Sequence, residues 1–203
     1  MDWLDNLVEE GWLKTERIIK AFEEVHREDF LPENKKSLAK LNRALPIGYG
    51  QTISQPLVVA FMLEKLDPQE GDKILDIGSG SGWTTALLSH IVGEKGRVIG
   101  IEIISELKDF GEKNTSEYNF VDKGITKFVC KDGRKGFEEE APYDKILASA
   151  SADKLPPAWK DQVKIGGKII TPIKHSIFVF TKLKQGFEKE EHPGFSFVPL
   201  VDN

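Results

Sequence analysis

The 203-residue sequence contains a single cysteine, two methionines and no long uninterrupted apolar run. Cys130 has no second cysteine to pair with, so an intrachain disulfide is excluded and a reducing, cytoplasmic setting is expected. No segment is long enough to span a bilayer, and none has the pattern of a secretory signal peptide. We therefore expect no membrane partner.

Clustered basic residues are also missing. The chain has 28 Lys and Arg against 33 Asp and Glu, a formal net charge of −5. Binding to nucleic-acid phosphates needs grouped cations, so no nucleic-acid partner is expected. The four histidines are scattered and no metal-ligand spacing is visible, which predicts no metal site. Cys130 ends an apolar strand pattern, which favours a buried, unreactive thiol.

The length and composition fit one globular domain over residues 1–203, expected to be a monomer. Residues 1–45 read as a helical N-terminal extension, with a helix over 2–11 that stops at Gly11 and a second that starts at Thr15. Residues 46–203 form the predicted core, which would bind a cofactor and carry out catalysis.

After residue 70, short apolar or β-branched runs alternate with helix-like segments. This alternation is typical of an α/β fold, a doubly wound, mostly parallel sheet. The last two runs are too close together for a helix between them, so they are expected to pair as an antiparallel hairpin at the sheet edge. The seven predicted strands are KILDI, RVIGIE, TKFVC, YDKILASA, GKIITPI, SIFVFTKL and FSFVPLV.

Residues 50–56, GQTISQP, precede an apolar run. Thr52 and Gln55 match the spacing of a capping box, Ser54 could cap equally well, and Pro56 suits a first helical turn. One interpretation of this stretch is therefore a helix start. The other is that it presents a hydroxyl group to a substrate.

The segment KILDIGSGSGWTTALL places a glycine-rich loop between a strand and a helix. Its backbone N–H groups would face a crevice at the carboxyl edge of the sheet, which indicates a ligand. Glu102, twenty residues past Gly82, is placed to accept hydrogen bonds from ribose hydroxyls. The G-x-G-x-G spacing differs from the G-x-G-x-x-G of dinucleotide enzymes, and the carboxylate of Asp76 beside the loop suits a cation better than a pyrophosphate.

LDIGSGSGW with GRVIGIEI resembles the cofactor loop of class I S-adenosylmethionine-dependent methyltransferases, and LPIGYGQTISQP resembles the hallmark of the protein-L-isoaspartate O-methyltransferases. Further similar pieces extend along nearly the whole chain. The resemblance implies a Rossmann-like methyltransferase fold, S-adenosylmethionine as cofactor, and isoaspartyl peptides or proteins as substrate.

The resemblance also implies site residues. Ser54 would be the active-site serine, Glu102 would hold the ribose, and Asp132 with Gly133 would lie near the adenine. The implied substrate-binding residues are Thr52, Ile53 and Gln55. The implied cofactor-binding residues are Asp76, Gly78, Ser79, Gly80, Ser81, Gly82, Glu102, Asp132 and Gly133. For these positions a purely structural role, such as a turn at Asp132–Gly133, is the alternative.

The implied reaction methylates the free α-carboxylate of an isoaspartyl residue, and the ester then collapses to a succinimide. This acid has a pKa of roughly 3.5, so it needs no general base. Transfer from a sulfonium to a carboxylate neutralises both charges, so an Arg clamp would stabilise the ground state more than the transition state. Neutral hydroxyls such as those of Ser54 and Thr52 suit the step better.

Some positions depart from the family pattern and leave the substrate open. Alternatives are a methyltransferase of the same fold acting on another peptide carboxylate, and a non-catalytic binding module. A dinucleotide oxidoreductase is disfavoured by the glycine spacing. The departing positions are His26, Lys40, Asn42, Ala44, Asp153, Lys154 and the short connection Lys174-His175-Ser176.

Overall fold

The computed structural model describes residues 3–201. The helices are α1 (Trp3–Glu9), α2 (Glu16–Glu24), α3 (Pro56–Leu66), α4 (Trp83–Val92), α5 (Ser105–Ser116) and α6 (Pro157–Gln162). The strands are β1 (Leu45–Gly48), β2 (Gln51–Ile53), β3 (Lys73–Ile77), β4 (Arg97–Glu102), β5 (Thr126–Cys130), β6 (Tyr143–Ala148), β7 (Val163–Ile173), β8 (Ser176–Lys182) and β9 (Phe187–Pro193). Short 3-10 turns cover Arg27–Phe30, Glu33–Leu38, Gly133–Lys135 and Glu138–Glu140.

Seven strands form the main sheet, in the order β5-β4-β3-β6-β7-β8-β9. Strands β3 to β7 are parallel, and β8 and β9 are antiparallel to their neighbours. The predicted doubly wound, mostly parallel sheet is confirmed. The chain moves outward from β3 to β5 and returns to β6 on the other side of β3, so the switch point of the fold lies between β3 and β6.

The seventh strand is a different segment from the one predicted. Strand β9 is the acidic run Phe187–Pro193, whereas residues 195–201 form no strand and make only one isolated parallel bridge, Ser151 with Pro199. The sequence FSFVPLV has the alternation of a strand, but β9 lies at an edge and exposes charged side chains, as edge strands commonly do. The predicted antiparallel hairpin is therefore correct and its second strand was wrong.

Two hydrophobic cores cover the two faces of the sheet. The larger contains Ile18, Leu63 and Leu88 from the helices with Ile74 and Leu147 from the strands. The smaller packs Trp159 of α6 and Phe137 against the opposite face. Helix α1 ends at Glu9 and α2 has Thr15 as its N-cap residue, close to the predicted boundaries, although residue 2 lies outside the described part.

The segment ahead of α3 forms a short antiparallel hairpin, β1 with β2, that the sequence did not predict. Its Ile47 side chain approaches the glycine-rich loop, since a Cβ atom on Gly80 would lie 3.3 Å from Ile47 Cδ1. The hairpin therefore covers one side of that loop. No helix within residues 3–201 has the length and apolar character needed to cross a bilayer.

Candidate active site

A deep cleft opens at the carboxyl ends of β3, β4, β5 and β6, beside the switch point. Its empty space, part of it open to solvent, amounts to about 750 Å³. Loops after four different strands and the β2 segment contribute to its wall. The predicted residues that line it are Thr52, Ile53, Ser54, Gly78, Ser79, Gly80, Ser81, Glu102 and Gly133.

The glycine-rich loop turns sharply at the end of β3. The backbone N–H groups of Gly78 and Ser79 both donate to Ile101 O of the neighbouring strand, at 2.9 and 3.0 Å. Gly82 has φ +90°, and a Cβ atom there would lie 2.6 Å from Gly111 O, so α4 starts in close contact with α5. Only glycine fits this combination of conformation and contact.

Glu102 closes the far side of the loop. Its carboxylate is buried and accepts three backbone N–H groups, from Gly80 at 2.9 Å, Ile103 at 2.9 Å and Ile104 at 3.0 Å. A carboxylate offers about four lone-pair sites, so one site remains for a ligand hydroxyl. These bonds fix the carboxylate in the cleft wall, where the sequence placed it.

Ser79 and Gly133 are two further residues of the cleft wall. The Ser79 hydroxyl is buried and has no hydrogen-bond partner within the described residues, so it is available to a polar ligand. Gly133 leaves no room for a side chain, because a Cβ atom would lie 2.4 Å from Ile77 Cγ2. Gly133 and Ile77 both line the cleft, so this close contact fixes the chain after β5 against the end of β3 in the cleft wall.

Three predicted cofactor residues, Asp76, Gly82 and Asp132, are not among the residues that line the cleft. Gly82 lies instead in the contact between α4 and α5. Asp76 is fully buried below the loop, where it accepts a 2.6 Å hydrogen bond from Thr85 Oγ1. Asp132 accepts from Arg134 N at 3.0 Å and pairs with the Arg134 side chain, which lowers its pKa. Asp132 thus caps the turn that places Gly133. Asp76 and Asp132 therefore form hydrogen bonds next to the loops of the cleft wall, without lining the cleft themselves.

Burial raises the pKa of Asp76 to about 7, against the opposing hydrogen bond from Thr85 and with a small added effect from the charge of Glu102. In the unfolded chain the pKa is about 3.9. Between these values the folded state binds more protons, so this carboxyl group makes the free energy of unfolding decrease as the pH rises from about 4 to 7.

We expect the variant Asp76→Asn to lose this pH dependence. Urea unfolding measured at pH 5 and pH 8 should show a larger decrease in unfolding free energy for the unaltered chain than for the variant. Asn can still accept the hydrogen bond from Thr85, so the difference isolates the ionisation. Equal decreases in both proteins would show that Asp76 is ionised throughout.

The GQTISQP segment does not cap α3 in the way its sequence indicated. The N-cap residue is Gln55, and neither it nor Thr52 or Ser54 makes a capping side-chain bond. The cap comes instead from Asn42 Oδ1, which accepts from Leu57 N at 3.0 Å. The prediction of Pro56 in the first helical turn is confirmed. Within residues 3–201, no hydrogen bond involves the hydroxyl groups of Thr52 and Ser54, so both are free for a ligand.

A second groove adjoins the cleft on the side of β2 and α3. It is lined by Ala44, Thr52, Ser54, Gln55, Val58, Ser149, Ser196, Phe197 and Val198, none of which is charged. The residues that also line the cleft are Thr52, Ser54, Ser149 and Val198. Three hydroxyl-bearing residues therefore line the place where the two spaces meet. Of the predicted substrate residues, Gln55 lines the groove and Ile53 lines the cleft.

Ser149 was missed by sequence reasoning. It follows β6 directly, and its backbone N–H donates to Ile77 O at 2.8 Å, which ties it to the start of the glycine-rich loop. A hydroxyl-bearing residue at the carboxyl end of a central parallel strand was the signal that could have identified it.

The C-terminal segment was also missed as part of the site. Residues 198–201 line the cleft, and Val198 O and Leu200 N are hydrogen-bonded to Ser151, each at 2.8 Å. The Phe195 ring stacks on Phe61 of α3, with 5.2 Å between ring centroids. These contacts hold the segment across the carboxyl edge of the sheet, where it forms a shared wall of cleft and groove.

A family model described as protein-L-isoaspartate (D-aspartate) O-methyltransferase matches residues 1–203. The chain belongs to this family. The isoaspartate methyltransferase family acts on isoaspartyl protein substrates, and the predictions of family, fold and enzyme class are confirmed.

Relatives in the protein-L-isoaspartate methyltransferase family are similar along nearly the whole chain. The protein-L-isoaspartate O-methyltransferase of Thermococcus onnurineus is 41% identical, covering 98% of this chain and 91% of its own. That of Methanopyrus kandleri is 39% identical, covering 94% and 86%. A Plasmodium falciparum protein of the family, solved with S-adenosyl-L-homocysteine, superposes with a TM-score of 0.89 at 27% identity, covering 99% of this chain and 97% of that one.

Several departures from the family pattern have structural explanations. Asn42 caps α3 and Ala44 lines the groove, whereas Asp153 and Lys154 are exposed and line neither space. The short connection leaves only two residues between β7 and β8, and Lys174 adopts φ +56° there. None of these residues is among the four that line both cleft and groove, which are Thr52, Ser54, Ser149 and Val198.

The prediction that Cys130 is buried was wrong, because this side chain is exposed. It is the last residue of β5, and β5 is an edge strand of the sheet. An apolar strand pattern indicates burial only where another layer covers the strand end.

Proposed function

We propose that this enzyme transfers a methyl group from S-adenosylmethionine to the free α-carboxylate of L-isoaspartyl residues in peptides or proteins. The observation that carries the proposal is the junction of cleft and groove, where the shared lining residues among those the structure describes are three hydroxyl-bearing residues and Val198, none of them charged. An anionic nucleophile placed there meets neutral donors only. A cofactor in the cleft would then be next to the peptide in the groove.

The substrate acid is already ionised at neutral pH, because its pKa is roughly 3.5. No general base is required, and none of the described residues that line the groove has a titratable side chain at neutral pH. When bound, S-adenosylmethionine supplies an electrophilic methyl group on a sulfonium ion. One C–O bond forms as the C–S bond breaks, and its electron pair stays on sulfur.

The contribution of the protein is orientation. Ser54 and Thr52 donate to the carboxylate and hold one oxygen in line with the methyl group, and such positioning can supply a large part of the rate enhancement. The carboxylate loses its charge during transfer. A cationic side chain bound to it would therefore stabilise the ground state more than the transition state, whereas neutral donors avoid this. Gln55 bounds the groove beside them.

On the cofactor side, the backbone of Gly78 to Gly82 and the carboxylate of Glu102 would hold the nucleoside, with Gly133 against the base. Asp76 and Asp132 act as supports. The methyl ester then closes to a succinimide without further help, and hydrolysis returns part of it to aspartate, which is protein repair. We also propose that residues 1–203 form a single domain, and that the enzyme is a cytoplasmic monomer with no nucleic-acid partner.

Transfer of labelled methyl groups to a matched pair of short peptides, one isoaspartyl and one aspartyl, tests the function. We expect incorporation into the isoaspartyl peptide only, with inhibition by S-adenosylhomocysteine. If neither peptide is methylated while the cofactor still binds, the groove accepts a different carboxylate. Cofactor binding by calorimetry, without any transfer to carboxylates, would indicate a binding module.

A further inference from the structure

Arg27 is a buried cation with an unusual set of partners. Its side chain lies in the turn after α2 and is 3% exposed. Burial lowers the pKa of the guanidinium to about 10, so it stays charged at neutral pH. Within residues 3–201 it has no carboxylate partner, and its Nε–H makes no hydrogen bond. A buried charge of this kind is costly unless its other N–H groups are well satisfied.

Backbone carbonyl groups accept hydrogen bonds from both terminal nitrogens of the Arg27 guanidinium. Nη1 donates to Ala39 O at 2.9 Å and Leu41 O at 3.1 Å, and Nη2 donates to Arg43 O at 2.8 Å and Ser54 O at 3.0 Å. Three of these acceptors belong to one loop, and the fourth is the carbonyl of the proposed active-site serine. The planar, rigid fork of Arg thus joins two chain segments that are distant in sequence.

The same guanidinium also contacts a residue that lines the cleft. Its carbon Cζ lies 5.4 Å from the ring centroid of Trp83, within cation–π range. Trp83 is the first residue of α4, directly after Gly82, and it lines the cleft. Arg27 therefore contacts the cofactor wall with one face and the substrate wall with its edge.

Asn42, which is exposed, makes a second connection between the loop over residues 39–43 and the segment that follows Ser54. Its Oδ1 accepts from Leu57 N, three residues after Ser54. The loop over residues 39–43 is thus fixed at two points to the segment over residues 54–57. The next residue, Ala44, lines the groove. Loss of either connection would let the serine backbone and the groove wall shift relative to the cleft.

We propose that Arg27, assisted by Asn42, is a positioning residue for methyl transfer, which sets the distance of Ser54 from the cofactor cleft through the backbone. This inference rests on the proposed function. It assigns a catalytic consequence to a side chain that touches neither substrate nor cofactor. Displacement of a positioning group by about 1 Å can cost about 100-fold in rate, so a small shift suffices.

The test compares Arg27→Lys and Arg27→Met with the unaltered enzyme, below the melting range of each protein. Lys keeps the charge but has one nitrogen, which cannot reach four carbonyl groups. We expect kcat on the isoaspartyl peptide to fall about tenfold or more in both variants. The affinity for S-adenosylhomocysteine, measured by calorimetry, should stay within about twofold, and the KM for the peptide should change less than kcat.

Tyr118→Phe is the matched control. The Tyr118 hydroxyl accepts from His26 N at 2.9 Å and donates to Asp29. Its loss removes these two hydrogen bonds but none of the four that join the Arg27 guanidinium to Ser54 and to residues 39–43. We expect a lower melting temperature and an unchanged kcat. If Tyr118→Phe lowered kcat as much as Arg27→Lys, the effect would be general destabilisation and the inference would fail.

Asn42→Ala gives a second route should the Arg27 variants not fold, since Asn42 is exposed. We expect kcat to fall about threefold with unchanged cofactor affinity. Full kcat in Arg27→Lys, or in Asn42→Ala where Arg27 variants are unfolded, would overturn the inference. Absence of transfer by the unaltered enzyme would instead count against the proposed function, so the two failures are distinguishable.

Discussion

Replacement of Ser54 by Ala should reduce the rate of methyl transfer to the isoaspartyl peptide by about 100-fold. The Ser54 hydroxyl stands at the junction of cleft and groove and makes no hydrogen bond within residues 3–201, so its only loss is to the ligand. The affinity for S-adenosylhomocysteine should stay close to that of the unaltered enzyme. Steady-state kinetics with the labelled cofactor and calorimetry would measure both.

Two further serine variants make this result specific. Ser116→Ala removes a hydroxyl that bonds Glu112 O on α5, away from the cleft, and should leave kcat unchanged. Ser54→Thr retains a donor and should retain part of the activity. Full activity in Ser54→Ala would assign the carboxylate to the other two hydroxyls, those of Thr52 and Ser149, and would remove Ser54 from the mechanism.

Gly82→Ala should be the most destabilising single substitution in the cofactor loop. Gly82 has φ +90°, and its Cβ atom would lie 2.6 Å from Gly111 O and 2.7 Å from Thr115 Oγ1. Conformational strain and overpacking together should lower the free energy of unfolding by about 3 kcal/mol. The shift of the loop should also weaken cofactor binding at least tenfold, because about 1.4 kcal/mol of lost interaction is a factor of ten.

Gly186→Ala is the matched control for strain alone. Gly186 has φ +77° in the β8–β9 turn, and among the described residues no atom beyond Gly186 and its two chain neighbours lies within 4 Å of the position that a Cβ atom would take there. It should lose about 1 kcal/mol and keep full activity. Chemical denaturation of both variants separates the two costs. Equal losses in Gly82→Ala and Gly186→Ala would mean that the α4–α5 contact adjusts without resistance.

The central strands could be predicted from sequence because their side chains are buried on both faces, and β-branched apolar runs therefore mark them. Strand β9 could not, because an edge strand exposes its side chains and carries the charged run EKEE. Residues 195–201 were wrongly predicted to form a strand for the opposite reason. The side chains of Phe195, Phe197 and Leu200 are partly buried against the two hydrophobic cores, although residues 195–201 form no strand.

The helix cap shows where local patterns fail. Thr52 and Gln55 have capping-box spacing, but β2 takes up Gln51–Ile53 and the cap comes from Asn42, fifteen residues before Leu57. A capping box is a local signal, and tertiary contacts can replace it with an acceptor from elsewhere in the chain.

The same difference between local and tertiary information separates the site residues that were predicted from those that were missed. The glycine-rich loop and Ser54 were predicted because short contiguous motifs carry them. Arg27 and Ser149 were missed because their roles depend on which segments the fold brings together. Nothing in the sequence around Arg27 indicates that its guanidinium meets the carbonyl group of Ser54, twenty-seven positions later.

The wall shared by cleft and groove links the two binding equilibria. Val198 and the three hydroxyl residues belong to both spaces. Any displacement of this wall by the cofactor therefore changes the affinity for the peptide. Thermodynamic reciprocity then requires the peptide to change the affinity for the cofactor by the same factor. The order in which the two ligands bind can alter the rates of assembly, but it leaves this coupling free energy unchanged.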